Sequence, residues 1–120
     1  MWPPHRFVQA YTHQGRIGVL IEFGLETWLV TEREYFVDLS RNLAMQVAAS
    51  APQSTVELLA QPYMGDTSVT VRAVLSGARE ILGERVSVTR FVRWVNEPPR
   101  APLLPFPPRN PAMIMRLGRM

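Results

Sequence analysis

A chain of 120 residues, 47% hydrophobic and 19% charged, has the size and composition of one globular domain and lies well outside the disordered range. With no cysteine and only two histidines, it offers no disulfide, no thiolate zinc site and no cysteine nucleophile, and no His-rich metal site. The formal charge of +3 comes entirely from arginine and is unevenly placed, −3 over residues 1–84 and +6 over residues 85–120.

No apolar run reaches the roughly 18 residues that a bilayer span needs, so no membrane partner is expected. MWPPHRF lacks the basic and long apolar segments of a secretory signal, and a reducing, cytoplasmic setting is the expectation. Phe7–Thr12 reads as a strand, and His13-Gln14-Gly15 as a short turn with a glycine free to take positive φ. A second strand places Ile17, Val19, Ile21 and Phe23 on one face at period two, with Arg16, Gly18, Leu20 and Glu22 on the other.

From Glu32 the period changes to that of a helix, with Phe36, Leu39, Leu43 and Val47 on one stripe beside Ala44 and Ala48, ending at Pro52. A short helix is expected around Val56–Gln61, stopped by Pro62. A third begins with Thr70 as N-cap, buries Val71, Val74, Leu75, Ala78, Ile81 and Leu82, and stops at Gly83. Val86–Val95 is β-branched and aromatic and completes a sheet. The expected fold is α+β: a hairpin, helices and a third strand in a two-layer sandwich on a three-stranded antiparallel sheet. The core domain should occupy residues 1–97. Seven prolines between Pro98 and Pro111 mark residues 98–120 as an extended, Pro-rich tail.

The seven glycines form no phosphate-binding loop, and His13 has no carboxylate or nucleophile beside it in sequence, so no catalytic residue, cofactor or metal is expected. Glu22, Glu26, Glu32, Glu34 and Asp38 lack the ligand spacing of a calcium loop and read as a solvated acidic face.

Four segments, in order, resemble the translation elongation factor Ts family. AYTHQGRIGVLIE (Ala10–Glu22) is similar to the family's AYIHxGGRIGVLVE hairpin, and LAMQVAASAP (Leu43–Pro52) to its diAMqvAAsnP. LLAQPYMGDTSVTV, from Leu58, resembles LLxQPFvkDpskTV, and VSVTRFVRWVN, from Val86, resembles the closing strand IsVrRFVRfE. The resemblance implies a protein that binds elongation factor Tu and promotes GDP/GTP exchange without breaking bonds, and that forms a homodimer through this domain. It places His13 and the segment Glu26, Thr27, Trp28, Leu29 and Val30 among the partner-binding residues, the latter standing where the family has ETDFV. Trp28 replaces the family's Asp and Leu29 its Phe. The family's N-terminal three-helix module has no counterpart before the first strand, and its long helical insertion is cut to Gln53–Glu57.

Two other functions fit the residues. One is a non-catalytic protein-interaction module that uses the Pro-rich tail. The other is an Arg-rich RNA-associated protein, with Arg85, Arg90, Arg93 and Arg100 forming a basic surface interleaved with Phe91 and Trp94.

Overall fold

The first 25 residues are dominated by a hairpin whose period-two pattern is realised without a slip. In the computed structural model, which describes residues 1–96, β1 (His5–His13) and β2 (Ile17–Leu25) pair antiparallel from His5↔Leu25 to His13↔Ile17. Gln14 and Gly15 both take positive φ, and Arg16 N–H closes the turn on the His13 carbonyl at 2.9 Å. Two successive positive φ values give the turn a twist that matches the strands it joins. Strand β1 begins two residues earlier than expected.

A 3₁₀ turn over Trp28–Glu32 intervenes before helix α1, Glu34–Ser50, so the long helix starts two residues later than its apolar period suggested. Phe36, Leu39, Leu43, Ala44, Val47 and Ala48 are all buried, as expected of one helical stripe. Phe36 sits edge-on to both Phe7 and Phe23, at 5.4 and 5.5 Å, where helix meets sheet. Ala51, in the left-handed region, ends the helix ahead of Pro52.

Helix α2, Thr55–Ala60, is capped by Ser54, whose hydroxyl accepts from Glu57 N–H. Strands β3 (Pro62–Tyr63) and β4 (Asp66–Thr70) then make a small second hairpin that the sequence reading did not foresee. Helix α3, Val71–Leu82, opens on the Thr70 cap and closes on Gly83 at φ +77°, as expected. Its buried side chains are Val71, Leu75, Ala78 and Leu82, with Val74 packed at the margin. Ile81, expected in the core, is about half exposed, because it lies outside the narrow strip of this helix that meets its neighbours.

Strand β5, Val86–Val95, pairs antiparallel with β2, giving the sheet order β1-β2-β5. The helices pack on one side of this sheet, which makes the domain two-layered. A bulge opposite Glu22/Phe23 leaves Thr89 as the extra residue of β5. The expected solvated acidic face holds only for part of the set. Glu22 is buried in the outer face of the sheet, and Glu26 accepts a hydrogen bond from Arg85 N–H, while Glu32, Glu34 and Asp38 stay exposed. The strand period put Glu22 on the outer face, but proximity in sequence to the other acids said nothing of the cations that cross-strand pairing brings to it. Residues 97–120, with the expected Pro-rich tail and Arg100, lie outside the described residues.

Candidate partner-binding site

The turn leaving β2 is held by side chains that the sequence scatters. Thr27 N–H and Oγ1–H both donate to the Glu84 carboxylate, with Oγ1–Oε2 at 2.8 Å, across 57 positions of sequence. The same hydroxyl accepts from Leu29 N–H and so caps the 3₁₀ turn. Glu26 Oε2 takes Arg85 N–H at 2.8 Å. Glu26 and Thr27 therefore fasten this turn to the connection between α3 and β5. Val30, 2% exposed, anchors its other end in the core.

Between those anchors stand Trp28, 50% exposed, and Leu29, 69% exposed. Trp28 rests against the His5 ring at 5.6 Å, and its carbonyl accepts from the Thr31 hydroxyl. Of the five residues Glu26–Val30, three hold the turn and two are presented by it. An apolar pair held out on a fastened turn has little backbone freedom left to lose on binding.

His13 is not part of this arrangement. It lies at the far end of the hairpin, about 27 Å away along β2 at strand rise, with Nδ1 3.0 Å from Tyr11 Oη. Nor do Arg90 and Arg93, both expected on the basic surface, share a face, while Arg100 lies outside the described residues. Arg90 is on the outer sheet face, where Nε and Nη2 donate to Glu22 at 3.3 Å. Arg93 points the other way and donates to the Ala48 carbonyl at the end of α1. Each has a structural task on a different face.

Glu22 is a buried acid on the outer face. The Thr89 hydroxyl, 2.6 Å away, does most to hold its pKa below the ordinary carboxylate value. Burial opposes this, and Arg90 and Arg6 reinforce it. Val8, Leu20 and Val92 lie around this cluster and Trp94 farther along the same face, each at least half exposed. Among the described residues no group of three metal-ligating side chains converges, and no helix is long and apolar enough to cross a membrane.

None of the known family profiles matches the chain. Curated relatives do. Elongation factor Ts of Trichlorobacter lovleyi is 39% identical over 85 residues, which cover 71% of this chain and 27% of the relative. Elongation factor Ts of Moorella thermoacetica is 35% identical over 133 aligned positions, covering 72% of this chain and 66% of the relative. A third, from a Nostoc species, is 39% identical over 80 residues, covering 67% and 25%. The chain belongs to the elongation factor Ts family. It spans between a quarter and about two-thirds of these relatives' lengths.

The two longer matches differ in a telling way. About 86 residues of this chain are spread over the 133 positions of the Moorella match, so about 47 positions of that relative have no counterpart here. The Trichlorobacter match pairs about 85 residues with 85 positions and needs no such gap. The sheet-and-helix core of elongation factor Ts is thus matched both with and without an internal insertion. Sequence reasoning missed the Thr27–Glu84 latch. Neither residue type, nor their separation, carries a signal for it.

Proposed function

We propose that this chain binds elongation factor Tu and promotes release of its GDP, with Trp28 and Leu29 as the contact that matters most. Their exposure on a turn held at both ends is the observation that carries this reading, together with the family membership. The energetics need no covalent step. A protein that binds the nucleotide-free GTPase more tightly than the loaded one weakens nucleotide binding by the same ratio. Where the resemblance has Asp and Phe, this chain offers an indole and an isobutyl group. Neither can disturb a bound cation by charge, so the lever here is apolar insertion. Fully burying a Leu side chain contributes about 1.5–3 kcal/mol, about a ten- to hundredfold change in affinity.

Release of labelled GDP from elongation factor Tu tests the reading. Acceleration by the full chain should fall at least tenfold in Leu29→Ala and in Trp28→Ala. No acceleration at saturating protein would rule out exchange. Binding without acceleration would leave the interaction module as the function.

The homodimer implied by the resemblance is proposed on the outer sheet face. Val8, Leu20, Val92 and Trp94 offer apolar area there, and the Glu22 charge beneath them is already matched by Arg6 and Arg90. Light scattering across a dilution series should give twice the monomer mass.

A further inference from the structure

Residues 1–96 carry nine arginines and nine acidic residues, so the described domain is neutral as a whole. Its charge is nevertheless segregated. A groove of about 480 Å³ between α3 and β5 is rimmed by Arg72, Arg79 and Arg85, and no carboxylate lines it. Helical spacing brings the first two together, since positions seven apart share one face. Left-handed Gly83 then reverses the chain and returns Arg85 beside them. Leu59, Leu75 and Val88 are among the apolar side chains of the floor.

All three guanidiniums are exposed, and among the described residues none has a carboxylate partner. The nearby acids are engaged elsewhere. Glu84 receives Thr27, and Glu26 takes the Arg85 backbone N–H, leaving that side chain free. Arg85 lies over the Trp2 indole at 4.1 Å, and Trp2 Nε1 donates to the hydroxyl of Ser87 on the groove wall. That stacking pre-orders one fork and sets an aromatic ring next to it.

We propose that the α3–β5 groove binds single-stranded RNA, its phosphates on the three arginines and its bases against the apolar floor and the Trp2–Arg85 stack. Arg72 and Arg79 are about 10 Å apart along the helix on one face, so their flexible side chains can hold separate phosphates of an extended strand. Exposed guanidiniums each gain little from a single anion, so a ligand that repeats its charge is favoured over a free nucleotide. Residues 97–120 carry four arginines against one glutamate, so this chain supplies no acidic segment there to match the groove's charge.

Anisotropy of a labelled 12-residue oligouridylate with the full chain, over 50–200 mM salt, tests this. The triple variant Arg72→Gln, Arg79→Gln, Arg85→Gln should bind at least tenfold more weakly at 100 mM salt. The slope of log K against log salt should flatten by about 2. Arg41→Gln, an exposed arginine on α1, should bind as the parent does. Thermal melting checks the fold of the triple variant. A Lys-for-Arg triple, which keeps the charge and loses the fork, should show an intermediate loss. The proposal is overturned if the parent does not bind the oligonucleotide, or if the triple variant binds it as tightly as the parent. It is also overturned if UTP matches the 12-mer, or if a polyglutamate peptide displaces RNA at equal concentration, which would make the groove a site for acidic protein segments.

Discussion

The two faces of the central sheet obey the same strand period and end in opposite states. Toward the helices, β2 sends Val19, Ile21, Phe23 and Leu25, all nearly or fully buried. Away from them it sends Leu20, half exposed, and Glu22, buried although it is an acid. The inner face is closed by this chain's own helices, and its residues are explained by folding alone. The outer face keeps a charge out of water while leaving apolar side chains in it. Among the described residues, only Arg6, Thr89 and Arg90 account for the buried charge, and nothing covers the exposed apolar side chains beside it.

Breaking the inner face has the largest effect. Phe23 is fully buried between Phe36, β1 and β5, and Phe23→Ala should destabilise the domain by about 3–5 kcal/mol. Denaturant titration would read this as a lower midpoint at unchanged slope. A loss under about 1 kcal/mol would mean that the inner face is not the core.

Much of this division was legible in the sequence. Ile17–Phe23 at period two and Phe36–Val47 at helical spacing gave the sheet, the long helix and the face each turns inward. The Thr70 cap, the Gly83 stop and the last strand followed from local chemistry. The burial of Glu22 was not legible, because its partners Arg6, Thr89 and Arg90 reach it only through strand pairing. The β3–β4 hairpin has two residues in one strand, too few to establish a period. At the candidate site, the resemblance pointed to Glu26–Val30, yet only the fold separates anchors from presented side chains. Arg90 and Arg93 show the converse: three positions apart in one strand, they turn to opposite faces, and His13 lies at the far end of the hairpin from Glu26–Val30.

The Glu22 cluster gives a second and smaller test, this time of the outer face. Glu22→Gln removes the charge that Arg6 and Arg90 face and keeps an acceptor for Thr89. Because the two arginine side chains are 55% and 77% exposed, the loss should be only about 1 kcal/mol at pH 7. Its pH dependence has a definite sign. The folded-state pKa lies below the ordinary value of 4.5, so the stabilisation is complete above 4.5 and fades as pH falls through the lower folded value. Melting temperatures of parent and variant should therefore converge in acid. A gap that persists at pH 2 would place the effect in packing instead.

Thr27→Val probes the fastened turn. The change keeps the shape and removes the hydroxyl that donates to Glu84 and caps Leu29 N–H, leaving Thr27 N–H to hold the carboxylate alone. Stability should fall by about 1 kcal/mol. If the turn must be rigid to present Trp28 and Leu29, GDP release should slow by more than that stability loss explains, with both side chains still in place.

The smallest effect on folding should come from the exposed apolar residues of the outer face. Leu20→Ser and Trp94→Ser remove side chains that are 50% and 75% exposed and contribute little to the core. Under conditions where the chain is monomeric, each should change stability by no more than about 0.5 kcal/mol. Light scattering at high concentration should respond differently, with the dimer weakened in both and most in Trp94→Ser, since aromatic anchors carry a disproportionate share of interface energy. A near-silent change in folding joined to a clear loss of association would separate the two faces by function. Equal association in parent and variants would leave the outer face as a surface that this chain does not use for pairing with itself.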